Sequence, residues 1–157
     1  ELERTGSASE VRSLARALVM PLVREMQRGD DGSHYLPFLA HLFLTSPVQV
    51  RDIMRKYEAA DSRWVALARV ALPQLPLPIL WTRLALMGRH VVVSLAVYQR
   101  RGLPIDDVGF EAYMSDMVDA VAGYFAAPPS EQTLALTRAR DEQQAAAEAA
   151  RSAQGGE

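Results

Sequence analysis

Apolar residues recur at steps of three or four from Ser9 to about Arg28, where Val11, Leu14, Leu18, Leu22 and Met26 fall on one side of a helix. Ser9 is placed to cap that helix, and Gly29-Asp30-Asp31-Gly32 ends it. Pro21 inside the pattern lacks an amide hydrogen and crowds the preceding turn, which predicts a kink or a break into two shorter helices. Ser33 can cap a second helix running to about Thr45, apolar on most of its circumference through Leu36, Phe38, Leu39, Leu42 and Phe43. Ser46-Pro47 is a strong start signal for a third, with Val50, Ile53, Met54, Tyr57, Trp64, Leu67, Ala68 and Ala71 on one face and weak patterning over Ala59-Ala60-Asp61-Ser62 that allows a bend.

Pro73, Pro76 and Pro78 forbid regular helix from Leu72 to Pro78, although Pro78 suits the first turn of a fourth helix. That helix, about Ile79 to Arg100, has two apolar rows. One runs through Leu80, Leu84, Met87, Val91, Leu95 and Tyr98, the other through Trp81, Ala85, Gly88, Val92 and Ala96. Two rows call for two packing partners. After Gly102-Leu103-Pro104, a fifth helix from about Asp107 to Ala126 lines up Phe110, Met114, Met117, Val121 and Tyr124, while Glu111, Asp116 and Asp119 keep its other side in water. Pro128-Pro129-Ser130 stops it. From Glu131 on, the chain is rich in Ala, Gln, Arg and Glu with little but Leu134 and Leu136 to bury, so it is expected as a frayed helix or as disorder. Strand alternation, hairpin turns and internal repeats are lacking, so the fold class is all-α, a helical bundle.

Composition narrows the function. The 157 residues are 49% hydrophobic and 23% charged, which suits one domain with a substantial core. The absence of Cys removes thiolate metal sites, iron–sulfur clusters, disulfides and cysteine nucleophiles, and an intracellular, cytoplasmic setting is the expectation. A formal net charge of −2 offers no field to attract a phosphate backbone, so this chain alone is not expected to bind nucleic acid. The charge-free apolar run Val91 to Tyr98 is far shorter than the roughly 18 residues of a bilayer span, and no membrane partner is expected.

Catalytic motifs are absent: there is no phosphate loop, nucleophile elbow, His-Glu-x-x-His helix or acidic metal loop. His34 and His41 share a face but stand roughly 10 Å apart along a helix, too far to chelate one ion alone, so neither a metal nor a cofactor is expected. His41 reads either as a histidine at the core boundary or as a polar contact within a ligand cavity, and His90 as a surface or interface residue. Asp106-Asp107 reads as a turn and helix N-terminus. Phe38, Tyr57, Trp64, Trp81 and the methionines are either plain core or the lining of an apolar pocket.

Three features taken in order carry a resemblance: Ser46-Pro47 opening a helix after Phe38-Leu39-Ala40-His41-Leu42, the segment Ala71-Leu72-Pro73-Gln74-Leu75-Pro76, and Trp81 followed seven residues later by Gly88. Over roughly Ser9 to Pro129 the chain resembles the C-terminal effector-binding and dimerisation domain of TetR-type bacterial transcriptional regulators. The resemblance implies a homodimer paired through the last two long helices as a four-helix bundle, a small hydrophobic or amphipathic effector, and repression exerted through an upstream helix-turn-helix. No such motif precedes Ser9, so DNA contact is expected from a missing N-terminal part.

On this reading residues 1–8 are a linker remnant, 9–129 the helical domain and 130–157 a polar tail. Ligand contacts are expected from Phe38, His41, Leu42, Tyr57, Trp64, Trp81 and Met87, and dimer contacts from Gly88, Val92, Ala96, Met117 and Val121. Catalytic residues are not expected. The alternatives are a ligand-free structural dimer, or a small helical enzyme using His41 or His90 as acid or base.

Overall fold

In the computed structural model, which describes residues 7–28, 34–45 and 58–154, every regular element is a helix. These are α1 (Ser7–Met26), α2 (Tyr35–Thr45), α3 (Glu58–Ala71), α4 (Leu77–Arg100), α5 (Val108–Ala126) and α6 (Glu131–Gln154). The Ser46-Pro47 helix start and the Ser33 cap lie outside the described residues. The chain divides after Ala126 into two compact units, α1 to α5 and the α6 segment.

Helix α1 runs unbroken through Pro21, whose exposed ring sits on the solvent side, where a helix can open slightly without disturbing its packed face. The buried row is Val11, Ala15, Val19, Val23 and Met26, so the packed face is centred one position from the predicted one, with Leu14 buried and Leu18 and Leu22 half-buried beside it. Pro37 falls in the first turn of α2, where no intrahelical N–H bond is lost. The weakly patterned residues 59–62 are helical, with α3 continuous from Glu58.

The proline-rich turn is pinned from inside. Leu72 and Leu75 are buried, and their amides donate to the carbonyls of Ala68 and Leu72 at 2.8 and 3.0 Å. Pro76 then accepts from the amides of Ile79 and Leu80, both at 3.0 Å, and Pro78 sits in the first turn of α4. Gly102, with φ of +63°, closes α4 in the left-handed conformation that suits glycine. Asp107 caps α5 by accepting from the Phe110 amide at 2.7 Å, in line with its reading as a helix N-terminus.

Helix α1 packs mainly on α5 and also touches α2, α3 and α4, while α2 lies along α4 and α4 rests on α5. The first apolar row of α4 is covered within the chain through Leu80, Leu84, Val91 and Leu95, whereas the second is covered only at Val92 and Ala96, with Trp81 and Ala85 exposed and Gly88 half-buried. Arg83 crosses from α4 to donate to the terminal Phe125 carbonyl of α5 at 2.9 Å, with its guanidinium 5.6 Å from the Tyr124 ring centre. On the far side of α5, Arg12 of α1 donates to Asp119 at 2.6 Å and to Ser115 at 3.2 Å.

Among the described residues, α4 is long and apolar enough to cross a bilayer by length and composition, with a mean hydropathy of 1.3 over its best window. This amends the expectation drawn from the charge-free run Val91 to Tyr98, since a window of spanning length tolerates isolated charges. Here α4 packs on α1, α2 and α5 with part of its surface exposed, and Arg83, Arg89 and His90 interrupt it.

The tail is a helix rather than an irregular segment. Ser130 caps α6 by accepting from the Thr133 amide at 3.2 Å, and alanine-rich composition supplies propensity. Described side chains beyond Thr137 are all exposed.

The two units should respond separately to substitution. Leu95→Ala, at a fully buried site in α4, is expected to lower stability by about 2–5 kcal/mol in urea unfolding followed by tryptophan fluorescence. Ser130→Ala should weaken the α6 cap by about 1 kcal/mol, reducing far-ultraviolet helicity while leaving the urea midpoint of the tryptophan-containing unit unchanged.

Candidate functional site

Two hollows flank α5. The first is a groove of about 300 Å³ between α4 and α5, bounded by Met87, His90 and Ser94 on one bank and by Tyr113, Asp116, Ala120 and Tyr124 on the other. Helical spacing explains the set: Met87, His90 and Ser94 are three and four residues apart, as are Tyr113, Asp116, Ala120 and Tyr124. His90 and Asp116 are both exposed, and among the described residues no ion pair joins them.

The second hollow, about 510 Å³, opens where α1, the end of α3 and the C-terminal half of α5 meet. Val11, Ala71, Leu72 and Pro73 form one wall, and Ala122, Gly123 and Ala126 the other. Its width comes from small side chains: a Cβ built at Gly123 meets nothing within 4 Å. Gln74 supplies an amide that can donate and accept at the rim of an otherwise apolar space. This chemistry suits an apolar molecule with one hydrogen-bonding group.

The residues expected to bind ligand are not gathered around either hollow. Phe38, 60% exposed, and His41 lie on the side of α2 opposite its buried Leu36 and Ala40, while Leu42 is half-buried. Trp81 is 41% exposed near the start of α4. Trp64 belongs to the packed interior: its indole N–H donates to the Leu14 carbonyl at 3.2 Å, and its ring centre is 5.2 Å from that of Phe125. Met87 is on the α4–α5 groove, and Tyr57 lies outside the described residues.

Of the dimer set, Val92 and Ala96 are buried within the single chain, and Met117 and Val121, also buried, line the groove between α4 and α5. Gly88 is half-buried away from the groove, with open space around a built Cβ. Among the exposed residues of α4 and α5, His90, Asp116 and Ala120 border the groove. Sequence reasoning places Asp116 only as a wetted position and does not single out Gln74 or Gly123. The signal for Asp116 is its three- and four-residue spacing from Tyr113 and Ala120.

Near the α4–α5 turn, Tyr98 stacks on Tyr113 with centres 4.9 Å apart and meets Phe110 at 5.3 Å. Its hydroxyl donates to the Pro104 carbonyl at 2.8 Å. Partial removal from water raises the phenol above its ordinary range, and the negative charge of Asp107 adds to the rise. Among the described residues no group of three or more His, Asp or Glu is placed to hold a metal ion.

A family model described as Tetracyclin repressor-like, C-terminal domain, matches residues 16–127, which spans most of α1 and all of α2 to α5. No curated protein and no solved structure matches the chain.

The raised Tyr98 phenol fixes the sign of a pH effect. The folded state holds the neutral form more tightly than the unfolded chain, so the added stability is fully present below the ordinary tyrosine value of about 10 and is lost as pH rises through the folded value. Tyr98→Phe should melt lower than wild type at pH 7 and converge with it in strongly alkaline buffer. A gap that widens with rising pH would contradict the assignment.

Proposed function

The chain belongs to the Tetracyclin repressor-like C-terminal domain family, and on that premise we propose that it is the effector-binding and dimerisation part of a TetR-family transcriptional repressor. In this reading it works in the bacterial cytoplasm, has no catalytic role and requires no cofactor. DNA contact belongs to a helix-turn-helix in another part of the parent protein. The observation that carries the proposal is the extent of the family match, which takes in nearly the whole of the α1–α5 unit.

The geometry supports a route from ligand to pairing. Helix α5 presents Ala122, Gly123 and Ala126 to the apolar hollow and Asp116, Ala120 and Tyr124 to the groove. An effector seated against α1 and α5 biases the position of α5, and hence the pairing of two copies, to the extent that it prefers one position over another. Arg12 adds a direct tie, since its bonds to Asp119 and Ser115 carry a shift of α5 to α1. Phe38 and Leu42 of α2 and Trp81 of α4, which lie on helices that pack together, are the competing candidates for effector contact.

The proposal is tested by melting the protein with a panel of small apolar and amphipathic molecules. A molecule that binds the native state at about 100 times its Kd adds about 2.7 kcal/mol and raises Tm. Gly123→Phe, which projects a ring into the hollow, should fold normally and abolish that rise. A rise retained in Gly123→Phe and lost in Trp81→Ala would move the effector to the α2–α4 side. No rise across the panel would favour the ligand-free structural dimer.

A further inference from the structure

The turn that joins α3 to α4 leaves acceptors without donors where it borders the larger hollow. In a helix each carbonyl accepts from the amide four residues on, and after Ala68 that series stops. Pro73 has no amide hydrogen to give Arg69, and the Leu75 amide donates to Leu72 at 3.0 Å rather than to Ala71. Among the described residues, then, no backbone amide reaches the Ala71 carbonyl, and Ala71 is part of the hollow's wall.

Gln74 stands three residues further along the same turn. Pro73 and Pro76 restrict the backbone on either side of it, and Leu72 and Leu75 anchor that backbone in the core, so an exposed side chain is carried on a fixed support. Among the described residues its amide has no hydrogen-bond partner. It is also the single polar side chain in a lining that is otherwise apolar and holds no charged group. The α5 wall, made by Ala122, Gly123 and Ala126, projects no more than a methyl group at any point and gives a flat apolar floor.

From these features we propose that the hollow selects an uncharged carboxamide or lactam borne on a flat apolar body, and that Gln74 is the residue that selects it. This rests on the reading of the hollow as the effector site and names the effector's chemical class. A carboxamide N–H has two acceptors within one stretch of turn, the Gln74 side-chain oxygen and the Ala71 carbonyl, and the ligand's own oxygen takes an N–H of Gln74. An ester can only accept, so both acceptors go unanswered. A carboxylate brings negative charge to walls built from the C-terminal ends of α3 and α5, where the helix dipoles already place partial negative charge. The bases at those ends, Arg69 and Arg83, are not lining residues. An ammonium suits the acceptors but gives up water without a counter-ion in the lining and cannot accept from Gln74. The volume of about 510 Å³ falls within the roughly 300–1,000 Å³ of small-molecule pockets.

The test uses the full chain and one naphthalene scaffold bearing in turn a carboxamide, a methyl ester, a carboxylate, an aminomethyl group or an ethyl group, titrated by isothermal calorimetry. The carboxamide is expected to bind tightest, about fivefold or more ahead of the ester and further ahead of the two charged compounds. Gln74→Leu keeps both buried leucines and both prolines of the turn, so it should fold as wild type does and bring the carboxamide level with the ethyl compound. In a nitrogen-15 spectrum the Gln74 side-chain amide protons, assigned by their loss in Gln74→Leu, should move downfield with the carboxamide and stay in place with the ethyl compound.

A carboxylate or ammonium that binds as tightly as the carboxamide, or a carboxamide preference that survives Gln74→Leu, overturns this inference and leaves the effector site standing. Undiminished binding of the whole set to Gly123→Phe, or no binding by any member of it, defeats the hollow as the effector site, and the inference falls with it.

Discussion

The fold depends on the need of α4 to hide the apolar residues along one broad side of its circumference. Leu80, Leu84, Val91 and Leu95 demand one set of neighbours, and Val92 and Ala96 extend the demand around the helix. Helices α1, α2 and α5 meet it together, because burial of apolar area is non-directional and any well-fitting surface serves. Directional interactions then set the details. Arg83 joins α4 to the Phe125 carbonyl near the end of α5, and Tyr98 braces the connection at the other end. The exposed side of α4 that remains borders the groove shared with α5.

Helix α5 is the shared wall of two hollows, a position that its sequence explains. Its inward face carries Phe110, Met114, Met117, Val118, Val121 and Phe125, all buried. One flank carries the small residues Ala122, Gly123 and Ala126, and the other sets Asp116 and Ala120 between Tyr113 and Tyr124, with space left on both sides. A displacement of α5 therefore changes both spaces together, which is the minimum requirement for one site to sense another.

Much of the architecture was legible in the sequence because helices announce themselves locally. Proline at 73, 76 and 78, Gly102 and Asp107 each mark a boundary found in the structure, through effects confined to a few neighbouring residues. Site residues were less legible. Val92, Ala96, Met117 and Val121 have the periodicity of a contact face, but periodicity cannot tell whether the covering surface comes from the same chain or another. Trp64 has the character of a pocket residue and is instead fixed by the Leu14 carbonyl and the Phe125 ring, a long-range arrangement with no local signature. Pro21 erred in the other direction: its placement on the exposed side of α1 is a tertiary fact that removes the expected break.

The α6 helix, 24 residues and about 36 Å long, draws its order from a serine cap and backbone propensity, with almost no covered side chains to reinforce it. Its amides are hydrogen-bonded like those of α4, yet each opens without disrupting a core. In heavy water the two helices will lose their protons on very different clocks, so helix content and resistance to deuterium become separate properties of this molecule.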